Sequence, residues 1–81
     1  MTVTVHMFAR AGELAAADHV VVEVPAGATV AAVRAALAAA VPALAPLLER
    51  SAVAVNHDFA EADRVVGPGD EVAVIPPVSG G

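Results

Sequence analysis

The chain has 81 residues, a net charge of −5 and no cysteine. That length supports one small domain with a single modest core, and a composition that is 58% hydrophobic excludes a disordered chain. Missing cysteines exclude disulfides, thiol catalysis and cysteine-built zinc or iron–sulfur sites.

From Thr2 to Phe8 the chain alternates, with Val3, Val5 and Met7 on one face and His6 and Phe8 on the other, which predicts a strand. Residues 9–18 hold Gly12 among polar residues and read as a loop or a short helical turn. His19–Val24 predicts a second strand, closed by Pro25-Ala26-Gly27. Thr29 is a favourable N-cap. After it Val30, Val33, Leu37 and Val41 recur at helical spacing, with alanine between them. Pro42 ends or kinks that helix, and Leu44, Leu47 and Leu48 suggest a further helical turn that closes near Ser51.

Ala52–Asn56 predicts a third strand, and Asn56-His57-Asp58 a turn. Residues 59–66 read as irregular or as a short edge strand, followed by a turn at Gly67-Pro68-Gly69-Asp70. Glu71–Ile75 is the last strand, before the ending Pro76-Pro77-Val78-Ser79-Gly80-Gly81. The order β-β-α-β-(β)-β implies an α+β class. The expected architecture is a β-grasp, or ubiquitin-like, mixed sheet of about five strands with one main helix across one face. Residues 1–76 form the expected domain and 77–81 a flexible tail.

The four basic residues, Arg10, Arg34, Arg50 and Arg64, are scattered and there is no lysine. No nucleic-acid partner is therefore expected, and an acidic chain suits a basic protein partner. The longest apolar stretch, 30–48, is broken by Arg34 and Pro42, so no membrane span is expected. The opening residues show no signal-peptide pattern, which makes the cytoplasm the expected compartment.

Few side chains offer chemistry. His6, His19 and His57 lack ligand spacing on any predicted helix, so no metal site is expected. Asp58, Glu61, Asp63, Asp70 and Glu71 cluster in and beside turns, where solvated carboxylates are the simple reading. Ser51 and Ser79 have no histidine–acid pair nearby in sequence. The remaining group is the Gly81 carboxylate. Pro76-Pro77 favours an extended exit from the last strand, and five residues from Pro77 reach about 18 Å. Two terminal glycines lack Cβ atoms and can thread a narrow tunnel. If Val3, Val5, Val53, Val55, Val72 and Val74 face the helix, then Phe8, Ala54, Ala73 and Ile75 point outward together, as an apolar partner surface.

These residues carry a resemblance. The strand into Phe8-Ala9 with Glu13 beyond it, the helix after Thr29, Ala54-Val55-Asn56, and Gly69-Asp70-Glu71-Val72 leading to Ile75-Pro76-Pro77-Val78-Ser79-Gly80-Gly81 resemble the small subunit of molybdopterin synthase. That subunit is the MoaD type of ubiquitin-like sulfur carrier. The chain departs from the type at Gly12, where an arginine is common, and at Val74 and Ile75, where aromatics are common.

The resemblance implies a mechanism. An adenylating enzyme of the MoeB type, using ATP, activates Gly81, and a sulfur donor converts the acyl-adenylate to a thiocarboxylate. The segment Pro77, Val78, Ser79 and Gly80 inserts into a large, MoaE-type subunit, with Phe8, Ala73 and Ile75 at the interface. Sulfur then passes to cyclic pyranopterin monophosphate. The resemblance further implies two carriers flanking a large-subunit dimer, no bound cofactor, and no catalysis by the small subunit alone. Two alternatives stay open: a sulfur carrier of another route (tRNA thiolation, thiamine or cysteine synthesis, protein tagging), or a β-grasp interaction module whose tail carries no chemistry.

Overall fold

The computed structural model describes residues 1–77. Its elements are β1 (Thr2–Met7), α1 (Arg10–Ala15), β2 (His19–Glu23), α2 (Val30–Ala40), a 3-10 turn (Pro42–Leu44), α3 (Ala45–Leu48), β3 (Ala52–Val55), β4 (Asp58–Ala60) and β5 (Val72–Ile75). The strands form one sheet in the order β2-β1-β5-β3-β4. β1 and β5 run parallel, and the other neighbours are antiparallel. This is the mixed five-stranded β-grasp sheet that the element order predicts.

Period-2 alternation places Val3, Val5, Met7, Val22, Val53, Val55, Val72 and Val74 on the inner face, all buried. They pack in one core with Val30, Val33 and Leu37 of α2 and with Leu44, Leu47, Leu48 and Val66. No aromatic side chain enters this core, so branched aliphatics of medium size fill it.

The start of α2 shows why the helix begins where it does. The Thr29 side chain accepts from Ala32 N at 3.3 Å. The next free donors, Val30 N and Ala31 N, reach the carbonyls of Arg64 and Ala62 at 2.9 and 3.0 Å. Segment 61–66 thus covers the helix N-terminus and satisfies groups that a helix leaves open. Val41 is the C-cap, one residue before Pro42. At the far end Arg34 donates to the carbonyls of Leu48 and Ser51, the latter at 3.1 Å, and the Ser51 hydroxyl donates to Leu47 O at 2.7 Å. An arginine and a serine that read as unremarkable in sequence close the α3 terminus.

Two elements sharpen the sequence reading. Residues 10–15 are a real helix, entered through Ala9 at φ 50° and left through Ala16 in the left-handed region. β4 is a three-residue edge strand, joined to β3 by Asn56 and His57 at φ 51° and 71°. Two consecutive positive φ values make the type I′ turn that matches the strand twist.

Candidate functional site

β5 sits at the middle of the sheet, between β1 and β3. Its register is fixed on both sides: Val72, Ala73 and Val74 face Val5, His6 and Met7 of β1, while Val72 to Ile75 face Val55 to Ala52 of β3. The end of β5 is therefore held from two directions, and the chain leaves it at Pro76-Pro77. A groove lined by Ala9, Arg10, Glu13, Leu47, Arg50, Pro76 and Pro77 surrounds this exit. Two of the four arginines flank it, and Arg10 Nη1 lies 3.2 Å from Glu13 Oε2. Val78, Ser79, Gly80 and Gly81 lie outside the described residues.

The outer face of the sheet carries the second part of the site. Phe8, Ala73 and Ile75, the predicted interface residues, line one groove together with His6, Ala54, His57 and Glu71. Phe8 is 54% exposed and Phe59, on the neighbouring edge strand, 75%. Both aromatic residues of the chain thus lie on the surface. Ala54 belongs to this face by register, between Ala73 and Phe59, yet it is buried. A methyl side chain standing between larger neighbours forms the floor of the groove rather than its rim.

The rim is polar. His57 Nε2 lies 2.9 Å from Glu71 Oε2. Asn56 binds the turn behind it: its Nδ2 donates to Asp70 Oδ1 at 3.0 Å, and its Oδ1 accepts from Glu71 N at 2.9 Å. Asp70 Oδ2 accepts from Gly67 N at 2.7 Å. These donors, the Gly67 amide first and then the Asn56 amide, with Arg64 nearby, hold the Asp70 carboxyl below the usual aspartate value. Sequence reasoning places His6, His57 and Glu71 on the surface but not at the groove. Only the register His6↔Ala73 and the two-residue turn bring them there.

Phe8 owes its position to the turn that follows it. Ala11 N donates to Phe8 O at 3.0 Å, with Ala9 at φ 50° and ψ −126° between them. A turn of this kind favours glycine at that position, so the alanine is held there under strain.

The side-chain carboxylates Asp58, Asp70 and Glu71 stand in and beside turns. Among the described residues, no group of three or more histidines or carboxylates is placed to hold a metal ion. No helix among them is long and apolar enough to cross a membrane.

The sequence model of the ThiS family matches residues 5–81. This chain belongs to the ThiS family. Its similarity to solved structures covers nearly the whole chain. Small archaeal modifier protein 1 from Haloferax volcanii is 32% identical, with both chains covered in full and a TM-score of 0.89. A molybdopterin converting factor subunit 1 from Pyrococcus furiosus is 29% identical over 96% of this chain and 99% of that one, with a TM-score of 0.84. The complex of subunits 1 and 2 of the molybdopterin-converting factor from Helicobacter pylori matches at 23% identity, full coverage of both chains and a TM-score of 0.72, a likeness of fold. The chain thus has the fold of the ThiS- and MoaD-type ubiquitin-like sulfur carriers.

Proposed function

We propose that this chain is a cytoplasmic sulfur carrier that works as the small subunit of a molybdopterin synthase, with Gly81 as its reacting residue. The observation that carries this reading is a ThiS-family domain whose central strand β5 is followed in sequence by Pro76-Pro77-Val78-Ser79-Gly80-Gly81.

The chemistry follows from the terminal carboxylate. A carboxylate is a poor electrophile. Attack of a Gly81 oxygen on the α-phosphorus of ATP releases pyrophosphate and gives an acyl-adenylate. Sulfide supplied by a donor then attacks the carbonyl carbon, AMP leaves, and a thiocarboxylate remains. A glycine at the reacting position puts no side chain in the path of the sulfur. The chain has no cysteine to compete for sulfur and no lysine to capture the activated carboxyl. ATP belongs to a MoeB-type activating enzyme, so this chain binds no cofactor of its own. Phe8, Ala73 and Ile75 dock on the large, MoaE-type subunit while residues 77–80 enter its active site, two carriers serving one large-subunit dimer.

The test is an intact mass spectrum after incubation with the activating enzyme, ATP and a sulfur source. Replacement of one oxygen by one sulfur, absent when Gly81 is deleted, is the expected result. No such change with a demonstrably active enzyme sinks the carrier reading.

A second reading has its own support, the 32% identity to small archaeal modifier protein 1. There the activated Gly81 carbonyl is taken by a lysine amine of another protein and AMP leaves. Isopeptide-linked conjugates in a lysate, with no sulfur delivered to cyclic pyranopterin monophosphate by the large subunit, would favour that route.

A further inference from the structure

The two edges of the sheet are finished differently. β4 is only three residues long, a short edge of the kind that resists pairing. β2 is five residues, HVVVE, with no proline, glycine or lysine. It pairs with β1 alone, and Val21 at its centre is 53% exposed.

The β2 register decides which backbone groups are free. Met7 N donates to Asp18 O, and Val24 N to Met1 O. Because Val3 faces Val22 and Val5 faces Val20, the same alternation turns the N–H and C=O groups of Val20 and Val22 toward β1. Those of His19, Val21 and Glu23 point away from the sheet. Their side chains lie on the outer face, opposite His6, Thr4 and Thr2.

We propose that this edge is a self-association surface: two copies pair β2 against β2, antiparallel, with Val21 opposite Val21 on the two-fold axis. The register is self-complementary. Val21 faces Val21, and His19 of each copy faces Glu23 of the other. The three facing pairs are all of the hydrogen-bonded type and exchange two bonds each, six in total. Histidine facing glutamate across strands favours this register, and a shifted register would lose both of these polar pairs. The charged ends keep their present partners, since His19 Nδ1 contacts Asp18 at 2.7 Å and Glu23 Oε1 accepts from Thr2 at 2.6 Å. Each carboxylate and each ring retains a second polar atom for the other copy.

Space allows the pairing. A two-fold axis normal to the sheet puts both α2 helices on the same side, and every exposed position of α2 (Ala31, Ala35, Ala39, Ala40) is alanine. β5 lies two strands from the axis, so Pro77 and the Phe8–Ile75 groove stay open in both copies. An interface built on one strand pair is small and gives a weak dimer.

Sedimentation velocity of the full chain from about 10 µM to about 1 mM should show a monomer–dimer equilibrium. Val21→Cys is the direct test of register, in a chain with no other cysteine. Facing residues of this kind lie about 5.5 Å apart, within disulfide reach. Oxidation should therefore yield a covalent dimer, whereas Thr4→Cys, one strand inward, should not. Val21→Pro removes a donor that points away from β1 and should weaken the dimer about tenfold or more. If that variant unfolds, the His19–Glu23 pair carries the test: Glu23→Lys weakens the dimer, and adding His19→Glu restores it.

A monomer up to about 1 mM overturns the proposal. So does equal crosslinking through Thr4→Cys, or a dimer lost in Phe8→Ala but kept in Val21→Pro. An extended peptide that binds β2 while the chain itself stays monomeric also overturns it, in favour of a heterologous strand.

Discussion

The two faces of the sheet are built from different residues. Valine, methionine and leucine fill the inner face under α2, without an aromatic ring. Both phenylalanines stand on the outer face, 54% and 75% exposed: Phe8 lines a groove that contains Ala54 and Ala73, and Phe59 sits beside it on the edge strand. The largest apolar surfaces of the chain are thus kept out of the core that holds it together. On the proposed function, stability and recognition fall on separate sets of residues, and the sheet between them is shared.

That separation can be broken from either side. The largest effect belongs to the inner face: Leu37→Ala, at a fully buried position, should cost about 2–5 kcal/mol. Urea denaturation would show this as a lower midpoint. A cost under about 1 kcal/mol would mean that α2 is not seated as described.

The next largest belongs to the outer face. Phe8→Ala with Ile75→Ala should weaken binding to the large subunit by about tenfold to a hundredfold. Melting should fall clearly less than in Leu37→Ala, because Phe8 is exposed and Ile75 only half-buried. Calorimetric titration and thermal unfolding of the same samples separate the two effects. A large loss of stability with unchanged binding would reverse the roles of the faces.

A smaller effect sharpens the comparison at the link between them. Ala9→Gly relieves the positive φ that follows Phe8 and should raise stability by up to about 1 kcal/mol. It should also lower partner affinity about twofold or more, because Phe8 is then less firmly aimed. Affinity that holds while stability rises would show that the strained turn does not position the ring.

The smallest effect is a pH dependence. The native Asp70 carboxyl titrates below its unfolded value, because the Gly67 and Asn56 donors favour the charged form. Its stabilising contribution is complete above the ordinary aspartate range and is lost as the pH falls through the lowered native value. Asp70→Asn should flatten the acid limb of a stability–pH curve and leave the neutral region almost unchanged. An identical acid limb would exclude the Asn56–Asp70–Gly67 network as its source.

Much of this was legible in the sequence, for definable reasons. Val3-Thr4-Val5 and Val72-Ala73-Val74 alternate with period 2, so the facing of the sheet could be read before the fold was known. Thr29 and Pro42 bracket α2, and the helix indeed lies between them. Other parts were legible only as one of two alternatives, or not at all. α1 is six residues long and contains Gly12, too short and too flexible for a periodic signal. β4 follows a left-handed turn made of Asn56 and His57 without glycine, so the usual two-residue hairpin sign is only half present. Ala54 obeys the alternation but not the exposure, because burial of a small residue depends on its cross-strand neighbours. His6, His57 and Glu71 are brought to one groove by pairings between strands distant in sequence, which composition and spacing do not encode.

The placement of β5 has a mechanical consequence. Its neighbours on both sides run along the same axis in which the chain departs at Ile75. A pull applied through Pro77 therefore loads both ladders in shear, so that their hydrogen bonds resist together instead of parting one after another. The domain behaves as an anchor: load applied at Pro77 is shared by two ladders at once, and the body that carries it is not unzipped strand by strand.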